Sequence, residues 1–316
     1  MSWVEHAIWW HIYPLGLCGA PIREPDTAPG PRLRRLLGWL DYAVELGCSG
    51  LLLGPIFASQ SHGYDSLDLF RIDPRLGDEA DFAELVSQCR ERGLRILLDG
   101  VFSHVGSEHP DVRHALTQGP GSPAGKLFDI DWQHPGGPRP QVFEGHSSLV
   151  RLNHSSQEAV DLVVRVMDHW LDRGIDGWRL DAAYSVPPGF WSRVVERVRP
   201  RHPDAWLLGE VLHGDYCAFV AESGIDSVTQ YELWKAIWSS INDRNLFELD
   251  HALGRHNQFL GSFIPNTFVG NHDVTRIASR VGLDGTVTAL AVLMTVAGIP
   301  SIYYGDEQAF VGVKEE

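Results

Sequence analysis

Gly177-Trp178-Arg179-Leu180-Asp181 is the stretch that decides how the rest of the chain is read. Trp178 and Leu180 give it strand character. Side chains alternate along a strand, so Arg179 and Asp181 share the opposite face. An Arg beside a carboxyl favours its ionised form, which suits a nucleophile. Two more apolar runs end the same way, Trp206-Leu207-Leu208-Gly209-Glu210 and Phe268-Val269-Gly270-Asn271-His272-Asp273. A fourth, Asp99-Gly100-Val101-Phe102-Ser103-His104, ends in an imidazole. Each has an ordinary structural explanation: a buried ion pair for Asp181, an exposed strand end for Glu210, a helix N-cap for Asn271-His272-Asp273. Their joint occurrence at the same end of successive strands is not explained that way.

Working outward, a punctuation recurs. Amphipathic segments close on Gly and apolar strands follow, at Gly47, Gly93, Gly174, Gly224 and Gly298. Glycine after a helix accepts the left-handed cap conformation. Continuous apolar strands, unlike alternating ones, indicate a sheet buried on both faces. Strands are predicted near 10–16, 50–56, 95–102, 177–182, 205–211, 226–232, 266–271 and 299–305. Phe82, Leu85, Val86 and Cys89 recur at helical spacing. So do Val160, Val163, Val164, Met167 and Leu171, opened by a predicted capping box of Ser155 and Glu158. Eight strands alternating with helices predict an α/β fold, a (β/α)8 TIM barrel whose strand ends meet at one mouth. Cleavage of a glycosidic bond needs two carboxyl groups flanking that bond. A carboxyl partly desolvated at the end of an apolar strand, as Glu210 is, suits the acid.

Residues 104–155 interrupt the alternation. They are rich in Pro and Gly, with Phe128, Trp132 and Phe143 interspersed. A loop this long is usually functional or disordered, and its aromatics argue for order. The expected organisation is a barrel of 1–103 and 156–316 with a loop-rich inserted subdomain at 104–155. The chain stops soon after strand eight, so the last barrel helix is expected to be absent, with an apolar patch left on the outer surface.

The chain has 316 residues, an apolar share of 44% and a formal net charge of −15. That charge disfavours nucleic acid and anionic membranes, which need a basic footprint. The apolar run 289–297 is too short to span a bilayer. Met1-Ser2-Trp3-Val4 shows no basic and apolar leader, so a cytoplasmic location is expected. Cys18, Cys48, Cys89 and Cys217 are far apart with no CxxC and read as core thiols.

With these residues in view, the chain resembles the alpha-amylase family, glycoside hydrolase family 13. The motifs that carry this are Asp99 to His104, Gly177 to Asp181, Gly209-Glu210-Val211 and Asn271-His272-Asp273. Gly63-Tyr64-Asp65-Ser66-Leu67-Asp68 and Gly298-Ile299-Pro300-Ser301-Ile302-Tyr303-Tyr304-Gly305 add to them. They fall in order over about residues 8–310. The resemblance implies a retaining α-glycoside hydrolase acting on maltooligosaccharide-like α-glucans or small α-glucosides. Asp181 would be nucleophile, Glu210 general acid/base, and Asp273 the carboxylate that orients sugar hydroxyls. Tyr64, His104, Arg179 and His272 would surround the sugar. The same machinery serves transglycosylases, isomerases of the trehalose synthase kind and sucrose phosphorylases, and those readings stay open. A non-catalytic sugar-binding barrel is disfavoured, because all three carboxylates are present. Ser103 stands where many members carry an Asn that often supports calcium, so no cofactor is expected. The family's usual C-terminal β-sandwich is also expected to be absent.

Overall fold

The structure is a computed structural model and describes residues 3–22 and 28–314. Met1-Ser2 and Glu315-Glu316, part of the sequence readings at the two ends, lie outside the described residues. Eight parallel strands form one sheet: β1 (Trp9–Ile12), β2 (Gly50–Leu53), β3 (Arg95–Val101), β4 (Gly177–Asp181), β5 (Trp206–Gly209), β6 (Ser227–Val228), β7 (Asn266–Phe268) and β8 (Ile299–Tyr303). Their order runs from β6 through β1 to β8 and β7. β8 pairs with β1. Between β6 and β7 the circle closes through a Thr229–Asn266 bridge and the Gln230 N–H donating to the Asn266 carbonyl at 2.8 Å. The predicted strands are all present but shorter than expected, because their last residues leave the ladder to build the mouth; the sixth, predicted over 226–232, is only Ser227–Val228, and a helix begins at Tyr231.

Register decides what meets inside. Arg179 of β4 lies beside Asp99 of β3 and Leu208 of β5. One layer below, Trp9, Leu52, Leu97, Trp206, Leu208 and Ile299 form an apolar plug. The Trp9 and Trp206 rings stack at 5.9 Å. Gly50 makes room for this layer, since a Cβ there would stand 2.6 Å from the Trp9 ring. The barrel floor is therefore mostly apolar, with a buried Asn266–Ser301 hydrogen bond of 2.8 Å between β7 and β8, and the carboxylates gather at the mouth. Trp178, on the outer face of β4, packs instead against Phe57 and Phe102 beneath the helices.

The covering helices are α1 (Leu40–Glu45), α2 (Glu79–Glu91), α3 (Gln157–Leu171), α4 (Pro188–Val198), α5 (Tyr216–Ser223), α6 (Tyr231–Asp243), α7 (Phe247–Phe259) and α8 (Ile277–Thr295). Asp78 caps α2, accepting from the Ala80 and Asp81 amides while Asp81 bonds back to the cap. For α3 the predicted box shifts by one residue. Ser156 is the cap and accepts from the Ala159 amide at 3.1 Å, because the Ser155 amide is taken by Asn153 Oδ1 in a turn. Glu158 pairs with Lys126 at 3.2 Å instead.

The segment after β3 holds an antiparallel sheet of His104–Gly106, His146–Arg151 and Val142–Phe143, with helices Pro110–Gln118 and Pro123–Leu127. A hairpin of Phe57–Ser59 and Ser66–Ile72, which the sequence reading did not include, carries Tyr64 in its turn. Cys18, Cys48 and Cys89 are buried thiols; Cys217 is only half-buried, so it is not a core thiol. By length and composition α8 could cross a membrane. Here its backbone breaks at Gly282, and Ala289 and Leu293 pack with Leu233 and Ile237 of α6. Leu283, Val287 and Met294 on its outer side are exposed.

Candidate active site

Tyr64, His104, Asp181, Glu210, His272 and Asp273, which the sequence reading assembled from separate motifs, line one cavity of about 1400 Å³ at the barrel mouth. Arg179, the seventh candidate, lies beneath it. Its guanidinium is buried and bridges three carboxylates. Nη1 donates to Asp99 at 2.7 and 2.8 Å and to Asp181 Oδ1 at 3.2 Å. Nη2 is 2.7 Å from Glu210 Oε1. One positive charge thus serves three buried acids. Burial, then the Glu210 carboxylate, push the Asp181 carboxyl well above its ordinary range, and Arg179 only opposes this. This corrects the expectation from sequence that Arg179 would govern Asp181. Burial likewise raises Asp99 against the pull of Arg179.

Glu210 is held on both oxygens. Oε1 also accepts from the Tyr231 hydroxyl at 3.0 Å, and Oε2 accepts from the Ala182 amide at 3.0 Å. The Tyr231 hydroxyl accepts from Asn271 Nδ2 at 2.8 Å, and Asn271 Oδ1 accepts from the Asp273 amide at 2.8 Å. Asn271 therefore ties the loop after β7 to the acid on β5. The N-cap alternative for Asn271-His272-Asp273 does not apply, since α8 starts only at Ile277.

On the opposite wall His272 Nε2 lies 3.0 Å from Asp273 Oδ2 and contacts the Tyr64 hydroxyl. The Tyr64 hydroxyl donates to Asp99 Oδ2 at 3.0 Å, and its ring stacks on His272 at 5.1 Å. Burial raises the Asp273 carboxyl, but His272, Arg179 and Lys314 outweigh it and hold Asp273 well below the usual carboxylate range. Lys314 Nζ donates to the His272 carbonyl at 3.1 Å. His104 is engaged at both nitrogens. Nε2 donates to the Tyr64 carbonyl at 2.9 Å, and Nδ1 pairs with Ser103 Oγ at 2.8 Å. Burial lowers His104 to about 4, so the ring is neutral at ordinary pH. Ser103, read from sequence only as the replacement of an Asn, orients this imidazole.

Four contributors escaped the sequence reading. Asp99 was quoted as the start of a motif, and its inward register beside Arg179 was the available signal. Tyr231 falls inside the predicted sixth strand but in fact opens α6, three residues beyond the observed β6. Lys314 sits in an irregular segment, and Phe143 on a two-residue strand too short for any periodicity to point to the cavity. Among the described residues no group of three or more His, Cys, Asp and Glu side chains is placed to hold a metal.

The arrangement presents two buried carboxyls and a third, strongly ionised one around a space large enough for several sugar rings. Comparison with known proteins agrees with that chemistry. A cyclomaltodextrinase of Geobacillus thermopakistaniensis is 32% identical over 98% of this chain and 57% of its own length. An intracellular maltogenic amylase of Bacillus subtilis is 28% identical over 97% of this chain and 56% of its own. A solved cyclic alpha-maltosyl-(1→6)-maltose hydrolase of Arthrobacter globiformis, in complex with cyclic alpha-maltosyl-(1→6)-maltose, superposes with a TM-score of 0.85 at 26% identity, covering 100% of this chain and 77% of that one. The chain spans less than two thirds of the length of the curated relatives it matches. The family model for the alpha-amylase catalytic domain matches residues 33–316, and the chain therefore belongs to the alpha-amylase family, glycoside hydrolase family 13.

Proposed function

We propose that this chain is the catalytic barrel of a retaining α-glycoside hydrolase acting on maltose-type gluco-oligosaccharides. The observation that carries the reading is the Asp181–Arg179–Glu210 cluster at the cavity floor facing the His272–Asp273 pair. Asp181 attacks the anomeric carbon while Glu210 delivers a proton to the glycosidic oxygen, so the leaving sugar departs as an alcohol and a glycosyl ester remains on Asp181. Glu210 then takes a proton from water, the water oxygen attacks the same carbon, and Asp181 leaves as carboxylate. Two inversions return the α configuration. Glu210, held by the Ala182 amide on one oxygen and the Tyr231 hydroxyl on the other, is positioned to deliver the proton of the first step. Asp273, kept ionised by His272, accepts from sugar hydroxyls and offsets the positive charge developing on the ring. Tyr64 supplies an aromatic face and its hydrogen bond to Asp99. Arg179 acts from beneath by holding both carboxyls, and His104 presents its ring to the cavity.

The names of the relatives favour linear and cyclic maltodextrins as substrates, and the intracellular relative favours a cytoplasmic site of action. Residues 104–155 form, in this reading, a small subdomain that supplies one side of the cavity. Incubation with maltotriose, isomaltose, sucrose and trehalose, followed by NMR of the first anomer released, tests the assignment. Release of α-anomer from maltotriose is expected. β-Anomer, or carboxyls of Asp181 and Glu210 standing about 6.5 Å or more apart, refutes the retaining mechanism. Glucosyl isomerisation, or turnover only with phosphate, moves the chain to the isomerase or phosphorylase reading.

A further inference from the structure

The antiparallel hairpin of Val142–Phe143 and His146–Arg151 turns through Glu144 and Gly145, whose φ angles are 46° and 83°. Two positive φ angles suit a tight hairpin turn, but the first position ordinarily takes Asn, Asp or Gly. A glutamate there is strained, which asks what its side chain does. Its carboxylate accepts from the Tyr184 hydroxyl at 2.8 Å. Tyr184 lies three residues beyond Asp181, in the turn that leaves β4. The hairpin tip is thus fastened to the loop of the candidate nucleophile.

The rest of the hairpin faces the cavity. Phe143, His146 and Leu149 line it, and the Phe143 ring lies 4.4 Å from His104. Tyr184 lines the same cavity. Pairing between the two hairpin strands is irregular between His146 and Val150. Glu144 itself is exposed. The tip is therefore held by one hydrogen bond at the cavity rim and not by deep packing.

We propose that this hairpin is a specificity-determining wall. Phe143 bounds the sugar cavity, and the Tyr184–Glu144 hydrogen bond sets how far the wall stands from the floor. With the latch closed, the close wall favours short linear maltooligosaccharides relative to wide rings such as cyclodextrins, both of which remain substrates. This rests on the glucan-hydrolase reading above.

The test is the ratio of kcat/KM for β-cyclodextrin to that for maltotriose. Tyr184→Phe and Glu144→Ala, which each cut the latch, are expected to raise it at least about threefold. The double variant is expected to go no further than either single, since both remove the same bond. Glu144→Gln keeps an acceptor oxygen and is expected to stay within about twofold of the parent ratio. An unchanged ratio in either cutting variant overturns the proposal, as does a Glu144→Gln protein that behaves like Glu144→Ala. The same ratio of affinities, measured by calorimetry in Asp181→Asn backgrounds, separates the two readings. A shifted affinity ratio with no hydrolysis by the parent refutes hydrolysis and keeps the wall. Hydrolysis by the parent with unshifted ratios refutes the wall alone.

Discussion

Replacing Arg179 by methionine removes the guanidinium and keeps most of the side chain's volume. Arg179 is 3% exposed and contacts Asp99, Asp181 and Glu210. Without it three buried carboxyls face one another. At least one must stay protonated at neutral pH, and protonating a carboxyl of ordinary pKa about 4 at pH 7 costs about 1.36 × 3, or about 4 kcal/mol. That agrees with about 3–5 kcal/mol for breaking a buried pair. The sign with pH follows from the groups. Asp99 and Asp181 are already raised in the fold. A raised carboxyl gives its full stability below its unfolded pKa and loses it as pH rises through the folded value. Arg179→Met raises both further, so its cost relative to the parent is greatest at neutral pH. That cost should shrink by about 1.4 kcal/mol per unit of acidification, to about 1 kcal/mol at pH 5. Urea unfolding of parent and variant at pH 7 and pH 5 measures this. The exposed Arg173–Glu79 pair, 3.5 Å apart, serves as control, its removal costing about 0–1 kcal/mol. A loss at pH 7 no larger than the control's, or one that grows on acidification, refutes the charge accounting.

Asp181→Asn is expected to lower kcat/KM on maltotriose by at least about 10³-fold while urea stability stays level or rises, since a buried charge is relieved; near-parent turnover refutes the nucleophile assignment. Burial lowers His11, His104, His109, His154 and His256. A histidine with a lowered folded pKa loses stability as pH falls from its unfolded value toward its folded one, so acidification from pH 7.5 to 5.5 should cost about 1 kcal/mol from His104 alone; a parent-minus-His104→Asn difference in urea stability that stays the same at the two pH values contradicts this. Val287→Lys with Met294→Lys, on the exposed side of α8, should change stability by no more than about 0.5 kcal/mol per site and raise solubility; a loss above about 2 kcal/mol means that face is covered.

The eight strands were readable because their signal is local. An apolar run such as Leu51-Leu52-Leu53 can be satisfied only by burial on both faces, and a glycine such as Gly224 marks where the preceding helix must stop. Strand polarity then brings Asp181, Glu210 and Asp273 to one mouth whatever the exact register, since parallel strands end on the same side. The distribution of charge within that mouth was not readable. Arg179 is two residues from Asp181, yet its shortest bonds go to Asp99 and Glu210, because the strand ladder sets which side chains share a layer and alternation along one strand does not. Burial then overrides that nearest neighbour in setting Asp181. Tyr231, Lys314, the hairpin carrying Tyr64 and the Tyr184–Glu144 latch depend on irregular segments. Their positions follow from contacts between residues 7 to 42 places apart, or across the barrel. Sequence alone determined which chemical groups are present and which end of the barrel they occupy. Only the tertiary structure decided which group touches which, because hydrogen bonds and desolvation are set at ångström separations that no local pattern encodes.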